Sequence, residues 1–206
     1  MPWAPPYMGL SEMRSHLRIS DQDDDDDILD AVEAASRAID RCCHRQFGRV
    51  DAAEQRFYEA AFDKRSRRWY LVIDDVMTTD GFAAEVQDSS GATVGAISSY
   101  LLTPRNAVAK GMPWTEMLIR SDATYHPSAS DPDVAITAQW GWTAIPGTVK
   151  KACKIQASRF FNRKDSPYGV AGSPEAGAEL RLLAKVDPDV ELMLRQYTRL
   201  DWVVAS

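Results

Sequence analysis

The loudest chemical feature is an acidic run, Asp21 followed by Asp23, Asp24, Asp25, Asp26 and Asp27. Carboxylates this dense invite a calcium site. An EF-hand loop needs oxygen ligands at alternating positions, glycine at the sixth and glutamate at the twelfth. Counted from Asp21 those places hold Asp26 and Val32, and counted from Asp23 they hold Ile28 and Ala34. Neither register fits, so the run reads as the charged start of a helix, where negative charge meets the positive end of the macrodipole. A weak divalent-cation site is the sharper alternative. Cys42-Cys43-His44 invites zinc, but there is no C-x-x-C and no H-x-x-x-H, and Cys153, His16 and His126 stand alone. Packed thiols are the plain reading. Hydrolase, metalloprotease and phosphate-loop signatures are missing. Gly169 and Gly172 sit in a loop after a helix, which excludes a dinucleotide fingerprint. No catalytic residue, metal ligand or cofactor is assigned.

Two basic clusters remain. Lys64, Arg65, Arg67 and Arg68 fall in a turn pattern between strands. Lys150, Lys151 and Lys154, continued by Arg159, Arg163 and Lys164, fall on a helix, with Lys150 and Lys154 on one face. Each reads as a solvated face or as a surface for an acidic partner. One helix is acidic at its start and another is basic, so identical chains can meet head to tail, and head-to-tail contacts that close make rings. There are six tryptophans and seven tyrosines. Trp140-Gly141-Trp142 places both indoles on one side of a strand by the period-two rule. Trp202 with Val203 and Val204 makes an apolar segment that wants a docking surface.

The elements that must position these groups are legible in outline. The chain has 206 residues, 45% hydrophobic and 26% charged, with net charge −6 and a pI near 5.1. That is the balance of a globular protein with a core of its own, and too acidic for whole-surface nucleic-acid binding. No secretory signal or membrane span is expected. Three cysteines, two adjacent, do not make a disulfide framework and suit a reducing compartment.

Leu10, Met13 and Leu17 mark a first helix, with Ser11 as its expected cap. Ile28, Val32, Ala35, Ile39 and Cys42 mark a second. From about residue 55 the texture turns to strands, expected at 56–61, 69–73, 83–87, 100–103, 117–120 and 135–142. With no helix between them they suggest an antiparallel sheet or small barrel. Pro146 opens a third helix, with Val149, Ala152, Cys153, Phe160 and Phe161 on one face. Residues 163–172 read as a loop, 173–185 as a helix weakened by Gly177. Asp187-Pro188-Asp189 starts the last helix, with Val190, Met193, Leu194 and Tyr197 on its apolar face. The expected fold class is α+β: a small helical bundle from the N- and C-terminal parts (1–50 and 146–206) with an inserted antiparallel β-rich region (51–145).

Four stretches carry a resemblance. They are Leu17-Arg18-Ile19-Ser20 with Ile28 to Ser36, Ile39-Asp40 and Cys43 to Phe47; Ile145 to Ala152; Arg163 with Asp165 to Gly172; and Asp187 to Val190 with Leu194, Tyr197 and Arg199. In this order the chain resembles the tailed-bacteriophage head–tail connector family, also called adaptor or head-completion proteins. The resemblance covers about half the chain, and the β-rich middle departs from the compact helical members.

The resemblance implies a structural virion protein at the neck, made in the host cytoplasm, without catalysis or cofactor. It implies a homo-oligomeric ring of twelve copies beneath the portal protein, presenting a platform to a downstream neck or tail-completion protein. DNA passes through its channel without sequence-specific binding, and no membrane is involved. The portal-facing candidates are Tyr168, Val190, Leu194, Tyr197, Arg199, Trp202 and Val203. The subunit-contact candidates are Asp25, Asp27, Arg37, Arg41, Lys150 and Lys154. Asp23, Asp24 and Asp26 are candidate channel lining, since like charge keeps DNA from sticking. The alternatives are a nucleic-acid-binding module using the two basic clusters, a small metal-dependent enzyme using Asp25 or Asp27, and a stopper or tail terminator.

Overall fold

The computed structural model describes residues 4–163, 170–171, 180–181 and 186–199. The chain is α+β and divides into two compact units, Gly48–Ala144 and a helical one joining Ala4–Phe47 to the chain from Ile145 onward.

In the helical unit, α1 is Leu10–Leu17 and α2 is Asp25–Cys43. The N-cap of α1 is Gly9, and Ser11 lies inside the first turn without capping it. Asp24 caps α2 by position only, with no capping hydrogen bond from its side chain, while Asp25, Asp26 and Asp27 fill its first turn. The acidic run thus acts through the dipole rather than as a single cap. Ile28, Val32, Ala35 and Ile39 are buried as the periodicity predicts, but the last position is Cys43, with Cys42 half-buried. The buried stripe turns toward Ser36 and Asp40 in the second half of α2, because Tyr7 packs there.

Helix α3 is Gly147–Phe161 with Pro146 at the N-cap position. Val149, Ala152, Cys153, Gln156 and Ala157 form its buried stripe, whereas Phe160 and Phe161 are half-buried. The short strands β9 (Val170–Ala171) and β10 (Leu180–Arg181) pair antiparallel. So 163–172 is not wholly loop, and a helix over 173–185 is contradicted at 180–181; the rest of both segments lies outside the described residues. Gly177, which disfavours helix by about 1 kcal/mol relative to alanine, falls between the two strands. Helix α4, Pro188–Leu194, starts as expected: Asp187 Oδ1 accepts from the Asp189 N–H at 2.9 Å and Pro188 opens the first turn. Gln156 Oε1 accepts from the Asp187 N–H at 3.1 Å and fixes α4 to α3. A 3-10 turn, Arg195–Tyr197, follows.

The other unit is two four-stranded antiparallel sheets. The strands are β1 (Glu54–Glu59), β2 (Ala61–Asp63), β3 (Arg68–Val76), β4 (Ala83–Gln87), β5 (Thr93–Ala96), β6 (Tyr100–Thr103), β7 (Trp114–Ile119) and β8 (Asp133–Ala138). One sheet runs β1-β8-β4-β5 and the other β2-β3-β7-β6. The single strand expected at 56–61 is two strands in different sheets. Its break is Ala60, buried at 4% exposure, whose N–H donates to Pro132 O at 2.9 Å. The core holds Leu71, Ile73, Met117, Ile119, Val134, Ile136 and Trp140.

The strand expected at 135–142 ends at Ala138. Beyond it Gly141 takes φ +108°, which breaks the pleat, so the period-two rule no longer places the two indoles. Both are nonetheless buried. Trp140 Nε1–H donates to Glu54 O and Trp142 Nε1–H to Asp75 Oδ2, each at 2.8 Å. Buried indoles need such acceptors.

Candidate interaction surfaces

The polar centre of the helical unit starts from Tyr7, which the sequence reading did not single out. Its N–H donates to Ser36 Oγ at 3.0 Å, and its hydroxyl donates to Asp40 Oδ1 while accepting from the Phe47 N–H at 3.0 Å. Arg37 pairs with Asp40 at 3.3 Å, donates to Pro5 O at 2.9 Å and lies over the Tyr7 ring at 5.9 Å. Burial pushes the Asp40 carboxyl above its usual range, against the lowering effects of the Tyr7 hydroxyl and Arg37. Burial, followed by the Asp40 charge, raises the Tyr7 phenol. This centre fastens the first residues onto α2 and has the character of a structural joint.

Aromatic contacts carry it toward the C-terminal part. Tyr7 meets Phe47 edge to face at 5.7 Å, and Phe47 meets Tyr197 likewise at 5.6 Å. Arg199 N–H closes the circuit on Cys43 O at 2.9 Å. The thiols are packing groups here. Burial pushes Cys43 up to about 12 and Cys153 up to about 11, so both stay protonated and unreactive at neutral pH. Ser36 Oγ and Cys153 Sγ lie 3.6 Å apart. Among the described residues no cluster of His, Cys, Asp or Glu has the makings of a metal site.

The candidates named from sequence fall in varied places. Val190 and Leu194 are fully buried and Tyr197 is 8% exposed, so these three pack inside the unit. Arg199 is half-buried. Tyr168, Trp202 and Val203 lie outside the described residues. Of the subunit-contact group, Asp25 pairs with Arg14 at 3.5 Å, Arg37 with Asp40, and Lys154 with Glu12 at 2.7 Å. The Lys154 contact holds the Glu12 carboxyl below its usual range. Lys150 is half-buried, whereas Asp27 and Arg41 are exposed. Asp23 and Asp26 are exposed and Asp24 is half-buried at the N-cap.

Two surface features escaped the sequence reading. Leu192 on α4 is 71% exposed. It lines an open groove of about 550 Å³ with Cys42, Pro188, Glu191, Arg195 and Thr198. Leu29 on α2 is 46% exposed. Helix periodicity signals Leu192, because i and i+2 lie on opposite sides of a helix and Val190 and Leu194 face inward.

The helical unit thus combines a packed polar joint, protonated buried thiols and apolar groups on its surface. The model of the phage gp6-like head-tail connector protein family matches residues 7–67. The fold as a whole is shared with a chain from the neck of an empty GTA particle computed with C6 symmetry, at TM-score 0.53 and 18% identity over 94% of this chain and 90% of that one. It is shared equally with a chain from the virion of a native gene transfer agent (GTA) particle, at TM-score 0.53 and 19% identity over 96% and 92%. No curated protein matches the chain.

Proposed function

We propose that this chain is a structural neck protein that joins the head of a tailed-phage-like particle to its tail. One observation carries the reading: the connector-family match covers Tyr7, α1 and α2, the residues that build the helical unit's joint. The shared fold with a neck chain supports it through both units. In this reading the protein works by binding, without catalysis, as a homo-oligomeric ring beneath the portal. A neck computed with C6 symmetry suits a ring of twelve, a multiple of six. Asp23, Asp24 and Asp26 line the channel, and like charge lets DNA slide. Asp27 and Arg41, which are exposed, and Lys150, which is half-buried, are the subunit-contact candidates. The outer side of α4, with Leu192, joins Arg199 and the residues beyond as the portal-facing surface. Exposed apolar groups of this kind mark contact sites.

The test mixes the purified chain with the portal ring and measures the mass of the product beside the chain alone. A defined complex of many copies is the expected result. A chain that stays free of the portal across a wide concentration range overturns the assignment. Neutralising Asp23, Asp24 and Asp26 in assembled particles tests the channel role; unchanged DNA retention and ejection dismiss it.

A further inference from the structure

The turn joining β2 to β3 carries Lys64, Arg65, Arg67 and Arg68, all exposed. Among the described residues no ion pair involves any of the four. Other cations are held in the chain: Arg14 by Asp25, Arg56 by Asp74, Lys154 by Glu12 and Arg159 by Asp187. The turn is also firmly built. Asp63 Oδ1 accepts from the Arg65 N–H at 2.9 Å and Oδ2 from the Ser66 N–H at 3.2 Å, so the one carboxylate nearby serves the backbone. Arg67 takes φ +55°, which tightens the turn. Behind it the Phe62 and Trp69 rings pack at 5.1 Å, across a paired position of the two strands.

We propose that this hairpin tip is a sequence-independent contact for the phosphate backbone of double-stranded DNA. Three guanidinium groups and an ammonium on one rigid turn match a closely spaced row of phosphates, which arginine grips with two parallel hydrogen bonds. A two-stranded ribbon is also narrow enough to approach a DNA groove. The chain's own acidic run, in a second copy, is the weaker fit: Asp25 is occupied by Arg14, and Asp24 and Asp27 have partners of their own. A contact to three or four phosphates is weak and salt-sensitive, so it steadies DNA without stopping its passage. The inference stands on the hairpin and not on the neck assignment: a chain that assembles on the portal without holding DNA refutes only this one.

The test titrates the full chain into a labelled 30-base-pair duplex of mixed sequence and reads anisotropy across a potassium chloride series. Three or four phosphate contacts predict a log–log salt slope of about −2.7 to −3.6, or about a 40- to 150-fold loss of affinity between 50 and 200 mM salt. K64Q/R65Q/R67Q/R68Q is expected to lose the binding with an unchanged circular dichroism spectrum. R105Q/K110Q, which removes two cations elsewhere in the same unit, is expected to keep the wild-type slope. If the fourfold variant folds poorly, K64Q/R65Q reads the same effect as a slope smaller by about 1.8. Absence of binding at 50 mM salt overturns the proposal, as does a tip variant that binds like wild type. A tip variant that loses portal assembly while its DNA affinity is unmoved also overturns it and gives the turn to a protein partner.

Discussion

Replacing Gly141 by alanine tests how the two-sheet unit is closed. Gly141 sits at φ +108°, and an added Cβ would collide with Gly48 O and come within 2.8 Å of Arg49 Cα. The same few residues carry four connections: Gly141 N–H to Asp75 O at 2.6 Å, Trp142 N–H to Gly48 O at 2.9 Å, Val50 N–H to Trp140 O at 3.0 Å, and Trp142 Nε1–H to Asp75. Left-handed backbone costs an ordinary residue about 1–2 kcal/mol, and forcing atoms into a packed crossing costs about 1–3 more. The sum, about 2–5 kcal/mol, is a large share of a typical domain's stability. For a unit near 100 residues it lowers Tm by roughly 10–30 °C. Tryptophan fluorescence is the assay, since both buried indoles flank the site. Gly91→Ala is the control: φ is +81° but no atom lies within 4 Å of the added Cβ, so only backbone strain remains. A Gly141→Ala variant that melts within 3 °C of wild type, or no lower than Gly91→Ala, refutes the crossing argument.

Four other outcomes are expected. Brief alkylation of the folded chain modifies Cys42 first, while Cys43 and Cys153 react only after unfolding, as read by mass spectrometry. Both buried thiols hold protons that the unfolded chain sheds above its ordinary value of 9.0. Stability of the helical unit therefore falls by about 1.4 kcal/mol per thiol for each pH unit from 9 toward 11, visible as a steep alkaline drop in Tm. Tyr7→Phe removes a hydroxyl that serves Asp40 and the Phe47 N–H, costing about 1–3 kcal/mol by urea unfolding. Without that donor Asp40 holds its proton to higher pH than in the unfolded chain, so the loss grows as pH rises through that window and is smaller at pH 4 than at pH 7. Leu192→Glu leaves folding stability within about 0.5 kcal/mol of wild type, as exposed positions do, and abolishes portal assembly in the mass measurement.

What the sequence made legible was periodicity, and what it hid was context. Strands 83–87 and 100–103 stand where their composition puts them, and Asp187-Pro188-Asp189 starts α4 as its chemistry dictates. Strand β5 was missed because Thr-Val-Gly-Ala has no alternation to read. Gly95 there answers to a distant residue: any Cβ would strike the Tyr125 ring. Ala60 is likewise an ordinary residue until its burial marks the point where one strand becomes two. Cys42 and Cys43 lie on either flank of the helical stripe, and only Tyr7, packing beside Ser36 and Asp40, decides which is buried. Charge pairing is equally invisible. Lys154 meets Glu12 and Arg37 meets Asp40, while the hairpin tip keeps its cations exposed, yet all read alike as basic residues.

The same limit explains the placement of the C-terminal candidates. Periodicity identifies one apolar face on α4 but does not say whether that face meets the chain's own core or another protein. Val190, Leu194 and Tyr197 were expected to meet a partner, and they fill the core instead. A seven-residue helix makes about two turns, so an inward pair at i and i+4 forces position i+2 outward. The exposure of Leu192 therefore follows from the burial of its neighbours. An apolar side chain left in water by that geometry gains nothing from the isolated fold, and burying it later contributes about 1.5–3 kcal/mol when fully covered. In the ring proposed above, that small gain repeated at each copy would favour complete assembly over partial assembly.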